Sequence, residues 1–365
     1  MRALVAASVL LVAALVGGGL AGRTAPEPRP VLELAIDSVP QVTATLNITD
    51  WERVRAALGA PDLTGASPAR DRSSALSRAY DTDLSAVSGL VVSEEAMTDT
   101  FGWSVFDLRW EAFAQSTEGA VTVAALDDRV STGDVTAALQ EMGFTPPEDG
   151  ADDGGVWLGG ADLLASLDID LTPQLAFVAV LPEQGLVVTS DSSSYAARTV
   201  EVITGDGPSM ALTTAVPQTA LALADLPVAV VHTAARGCEV TGFATASAQD
   251  RRAAAQLAEA AGGLVPSAGM GFGLDADGVL RVVQHFVSQA GAAEQRDVRL
   301  RLAAGPATGQ GGDFDDRFRV AAAEVVGTDL VLDLRPVNGA SQLLSDLASG
   351  PFLPAWCGSP PAVAG

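Results

Sequence analysis

Between residues 43 and 350 the apolar positions switch repeatedly between a period of 3.6 and a period of 2, which predicts short helices alternating with hairpins. Thr43 to Ile48 suits a strand. Thr49 and Glu52 then have the S/T-x-x-E spacing of a capping box, opening a helix through Trp51, Val54 and Leu58 that Gly59 and Pro61 stop. A second helix is predicted over 68–80, with Leu76 and Tyr80 on one face. Strands follow over 103–113 and 120–126, then a helix over 133–142 in which Val135, Leu139 and Met142 recur at helical spacing. A short strand at 156–158, a hairpin over 175–181 and 185–190, and a helix capped by Asp191 or Ser192 complete this half.

Val216-Pro217-Gln218 repeats Val39-Pro40-Gln41, and a similar series follows it. The apolar stretch up to Val231 fits neither period. Ser247 caps a helix on Ala254, Leu257, Ala258 and Ala261, ended by Gly262-Gly263. A hairpin over 268–274 and 279–287 turns on Asp275-Ala276-Asp277-Gly278. A helix over 292–304, a hairpin over 318–325 and 330–334, and a last helix capped by Asn338 finish the series. The predicted fold class is α+β: two similarly ordered halves, 38–210 and 211–357, of antiparallel hairpins alternating with helices. Internal duplication and chance matching both account for the likeness, and duplication requires the same strand order in each half.

The ends of the chain change the picture. Arg2 followed by an apolar run over 3–21 reads as an export segment, residues 1–22, which is either a cleaved signal peptide or a membrane anchor. Residues 23–37, which include Ala25-Pro26-Glu27-Pro28-Arg29-Pro30, read as a Pro-rich linker. Cys238 and Cys357 are the two cysteines, and an oxidising compartment favours a disulfide between them. Residues 358–365 read as a disordered tail.

Composition mainly excludes. The net charge is −24, from 45 acidic and 21 basic residues, and every basic residue is Arg. Without lysine there is no Schiff base, no P-loop and no Ser-Lys pair. The acidity opposes nucleic acid and anionic membrane surfaces, leaving membrane attachment to the N-terminal segment. Two histidines, His232 and His285, are too few for a zinc site of His ligands, and no G-x-S-x-G, H-E-x-x-H or Cys-x-x-Cys occurs. No cofactor or metal is implied.

Four residues carry the candidate ligand surface. Gly269, Gly271 and Gly273 alternate with Met270, Phe272 and Leu274, leaving one strand face bare for a packed helix or a flat ligand. Trp103 falls on the strand face opposite Phe106, Leu108 and Trp110, where it is available to a glycan, lipid or protein. The acidic runs 148–153 and 313–316 read as solvated loops rather than Ca²⁺ sites, and Thr49 of the sequon Asn47-Ile48-Thr49 is better explained as a helix cap.

The expectation is an extracytoplasmic protein of the bacterial envelope, a non-enzymatic binding or interaction module whose partner is an envelope protein, glycan or lipid. One alternative is a lipid carrier with an apolar cavity, and another is an acid-base hydrolase with paired carboxylates.

Overall fold

The computed structural model describes residues 29–148, 154–167, 171–337 and 342–358. The strands are β1 (Thr45–Thr49), β2 (Leu108–Ser116), β3 (Gly119–Leu126), β4 (Val156–Leu158), β5 (Phe177–Leu181), β6 (Leu186–Ser190), β7 (Val228–Thr233), β8 (Gly269–Leu274), β9 (Leu280–His285), β10 (Phe318–Val326) and β11 (Asp329–Pro336). The helices are α1 (Val31–Ser38), α2 (Trp51–Ala57), α3 (Ala69–Asp81), α4 (Glu94–Thr100), α5 (Thr132–Met142), α6 (Gly160–Ser166), α7 (Ser193–Thr204), α8 (Val216–Leu221), α9 (Ala234–Val240), α10 (Ala248–Ala260), α11 (Gln289–Ala303) and α12 (Leu343–Ala348).

The strands form one sheet in the order β10-β11-β9-β8-β7-β1-β2-β3-β6-β5-β4. Every neighbouring pair is antiparallel, so the class is α+β as the hairpin pattern predicts. Outward from the central β1–β7 pair, the halves run β1-β2-β3-β6-β5 and β7-β8-β9-β11-β10, with β4 added at the end of the first. The strand order therefore coincides in the two halves, which share a single sheet. The repeated tripeptide has no part in this correspondence. Val39-Pro40-Gln41 leads out of α1, whereas Val216-Pro217-Gln218 is the first turn of α8.

Each face of the sheet carries its own core. On one, Phe272, Val282, Leu332 and Leu334 pack with Trp51, Trp157, Phe314 and Phe352 under helices that include α2, α10, α11 and α12. On the other, Ile48, Val121, Val123, Val188 and Val231 lie under α7, α1 and α8, with α1 touching both of the others.

Local chemistry sets most helix starts. Ser131, Ser192 and Ser247 accept hydrogen bonds from backbone N–H groups of the first turns of α5, α7 and α10, and Gly143 and Gly205 end α5 and α7 with positive φ. Several expectations are corrected. Thr49 is the last residue of β1, held in the ladder opposite Glu111 and Val228, so the cap of α2 falls to Asp50, which accepts from the Arg53 N–H at 3.0 Å. The buried face of α3 is Arg72, Ala75 and Ala79, and Tyr80 is 67% exposed. The end of the stretch expected to be linker is α1, because Leu32, Ala35 and Ile36 recur on one face and enter the core. The apolar stretch that fitted neither period is α8, a turn, and then β7, which is buried on both faces. Asn338, the expected cap of α12, lies outside the described residues. Asp83 serves instead, accepting from the Ser345 N–H at 2.9 Å and from the Ser345 hydroxyl.

His232 stands at the central seam. Its Nδ1 is 3.0 Å from Thr45 Oγ1 on β1, and its Nε2 is 3.3 Å from the Ala348 carbonyl of α12. The carbonyl requires an Nε2–H donor, and in the neutral ring the Thr45 hydroxyl then donates to Nδ1. Burial pushes its pKa down to about 4. Between the ordinary value of 6.5 and 4, the unfolded chain binds the proton and the folded one does not. Stability therefore falls as pH drops through this window, by up to about 3 kcal/mol from this group. Urea unfolding at pH 7 and pH 4 is expected to show a smaller loss in His232→Gln than in the wild type; equal losses would remove His232 from the account.

Candidate functional site

The glycine stripe of β8 decides where α8 lies. A Cβ at Gly269 would stand 2.9 Å from Ala215 Cβ, one at Gly271 2.6 Å from Leu223 Cδ1, and one at Gly273 2.4 Å from Leu226 Cδ1. All three distances are shorter than real side chains tolerate, so the bare face is filled by α8 and its flanking residues. The stripe is a packing device and presents no free surface. Trp103, expected on an exposed strand face, is only 1% exposed. Ser104 and Asp107 form a capping box that turns Val105–Asp107 into a 3-10 helix; β2 starts only at Leu108 and Trp103 packs into the core. Cys238 and Cys357 are joined, with Cα atoms 5.2 Å apart.

Pulled down on the glycines, α8 leaves a step beside it. The residues Gln218, Leu221 and Ala222 form one wall of a groove of about 560 Å³. Its floor is the same sheet face continued outward: Arg281 of β9, Asp329, Val331 and Asp333 of β11, and Ala322, Glu324 and Val326 of β10. The ladder places these in rows, Ala322 opposite Asp333 opposite Arg281, then Glu324 opposite Val331 opposite Val283, then Val326 opposite Asp329 opposite His285. Leu221 and Val326 are 64% and 60% exposed.

The first half shows what is missing here. There α7 follows β6 and covers β3, β6 and β5, burying the rows Val123-Val188-Ala179 and Ala125-Leu186-Leu181. In the second half the chain leaves β11 for the opposite face, where α12 packs on β8 with Leu343, Leu344 and Leu347 in that face's core. The helix that touches β10 and β11, α11, also lies on that side, against Leu330, Leu332 and Leu334. Among the described residues, α8 reaches β9, but no helix on this face lies over β11 and β10 as α7 lies over β6 and β5. The helical layer reads α7, α1, α8 and then an uncovered floor.

Charge replaces the buried valines of the first half on that floor. Arg281 donates from Nε to Asp333 Oδ1 at 3.0 Å and reaches Asp225 at 3.4 Å; the hydrogen bond to Asp333 raises its pKa. His285 Nδ1 lies 2.6 Å from Asp329 Oδ1. Glu324 has no ion-pair partner among the described residues. One arginine thus stands against three lining carboxylates, with apolar contact offered by Leu221, Ala222, Ala322, Val326 and Val331. Other grooves also open on the surface, including one of about 710 Å³ beside the disulfide.

No protein-family model matches this chain, and no curated protein matches it. Among solved structures, one titled "Structure of crystal form I of TP0453" is similar over 84% of this chain and 94% of its own, at 9% identity and a TM-score of 0.39. A likeness of that size carries no argument about function.

Proposed function

We propose that the protein is a non-enzymatic binding module of the bacterial envelope and that the uncovered floor beside α8 is its ligand surface. The single observation that carries this reading is the asymmetry of the helical layer: one half is closed by α7, while the same position in the other half is a groove with an apolar wall. Exposed apolar side chains gathered in a concave site with a few polar groups are how binding surfaces are built. The envelope location is supported by the apolar run over 3–21 and by the joined cysteines. The groove favours this reading over the carrier, which calls for an enclosed apolar cavity. It also favours it over the hydrolase, since Asp329 and Asp333 are each engaged with a neighbouring side chain.

The neutral dye Nile red tests the surface itself. The wild-type protein is expected to show saturable binding that Val331→Arg and Leu221→Arg each abolish, Leu221→Arg without moving the urea midpoint because that side chain is exposed. Dye binding unchanged in both variants would remove the groove as the ligand surface.

A further inference from the structure

We infer that the groove is the docking seat of a basic amphipathic helix from a partner protein. The inference rests on the reading of the groove as the ligand surface and names its occupant. Two independent features point to this occupant, the shape of the seat and its charge.

Shape comes from the molecule's own example. The first half closes its sheet with α7, a helix of 12 residues that lies against α1 and buries Tyr195, Ala196, Thr199 and Val202. The second half presents the same strand order, β9-β11-β10 in place of β3-β6-β5, and a wall supplied by α8 in place of α1. A helix laid over Val331, touching Leu221 and Val326, would repeat the α7 packing and complete a layer of four helices. The backbone of β9 and β11 in the floor is already paired on both sides, so a segment lying over those strands gains from side-chain contact. The one free edge of the floor is that of β10, at its rim.

Charge says which helix. Under α7 the corresponding rows are apolar and buried. Here the three rows carry Asp333, Glu324 and Asp329, which keep the surface wet when it is empty, as suits a reversible interface. Arg281 is engaged by Asp333 and Asp225, and His285 by Asp329, whereas Glu324 at the centre is unmatched among the described residues. An apolar stripe flanked by arginine or lysine satisfies Glu324 and the outer carboxylates, while an acidic helix meets like charge. Complementarity of this kind governs partner choice and association rate more than affinity itself.

Two synthetic amphipathic helices test it, with the same stripe of Ala, Val and Leu but with polar flanks of Arg in one and of Glu in the other. Fluorescence anisotropy with the full chain is expected to show the Arg helix binding at least about tenfold more tightly. The chain's overall acidity attracts any cationic peptide, so variants confined to the groove decide. Glu324→Lys is expected to cut binding of the Arg helix about tenfold, and Val331→Arg to abolish it. Leu221→Arg, at an exposed position on α8, is expected to weaken it as well, and its fold is not at risk. Equal binding of the two helices, or indifference to Glu324→Lys and Leu221→Arg, would overturn the inference. A groove-specific Nile red signal with no helix binding would overturn the occupant and leave the binding surface standing. Loss of both would remove the surface too. A concentration-dependent dimer of the protein alone, abolished by Val331→Arg, would assign the seat to a second copy instead.

Discussion

Arg299→Ala is expected to destabilise the protein by about 2–6 kcal/mol, the cost of leaving two buried carbonyls without their donor. Arg299 is fully buried in α11 and has no carboxylate partner among the described residues. Its Nη1 donates to the carbonyls of Pro354 at 2.7 Å and Trp356 at 3.0 Å, its Nη2 donates to Val265 at 2.9 Å, and the guanidinium lies 5.5 Å from the Phe286 ring centroid. Burial pushes its pKa down to about 9, which still leaves it charged at neutral pH. The side chain thus fastens the C-terminal segment and the loop before β8 to α11 through three carbonyls. Without it the Pro354 and Trp356 carbonyls remain buried, each costing about 1–3 kcal/mol if unmatched. Lysine offers a compact charge without the planar fork, so Arg299→Lys should recover only part of the loss. Urea unfolding measures it; a loss below about 1 kcal/mol would mean water replaces the guanidinium there.

Breaking the Cys238–Cys357 bridge is expected to have a comparable effect. The two residues are 119 apart, and a loop of that size corresponds to about 5 kcal/mol in the chain-entropy model. The bridge and Arg299 secure one clasp: Cys357 follows Trp356, whose carbonyl Arg299 holds and whose ring meets Phe243 edge-on at 5.1 Å. Losses from Cys238→Ala and Arg299→Ala should therefore not add, because the second change acts on a segment already loosened. Unfolding curves of both single variants and the double variant measure the coupling. Strict additivity would show that the clasp is two separate fastenings.

Much of the fold was written in local chemistry. The caps at Ser192 and Ser247, the Asp-Gly turn before β9 and most of the hairpin strands each appear where the pattern put them. Misplacement occurred where tertiary structure overrode the local signal. Thr49 and Asp50 are both good caps, and the sheet ladder decides between them by keeping Thr49 in β1. Trp103 continued an alternating run in the sequence, yet the Ser104–Asp107 capping box ends the alternation one turn before the strand. The α8–β7 stretch lacks a polar face because one side meets glycines and the other is central sheet.

The groove was hardly legible, since its residues come from α8, β9, β10 and β11 and form no motif. One signal does exist. The runs Phe177–Leu181 and Leu186–Val188 are unbroken apolar stretches, as strands covered on both faces must be. Asp329-Leu330-Val331-Leu332-Asp333-Leu334-Arg335 instead alternates, which marks a strand with one face left to solvent. Two otherwise equivalent hairpins with different alternation indicate that one half of the sheet is uncovered.

The central claim, that the uncovered floor beside α8 is a helix seat, is tested most directly by amide hydrogen exchange of the full chain with and without the Arg-flanked helix. The account predicts slowed exchange in 216–222, 281–285 and 322–333, where α8 and the strands of the floor lie, and unchanged exchange beside the disulfide at Phe243, Leu264 and Trp356. Protection confined to the disulfide groove, or spread evenly over the acidic surface, would contradict it.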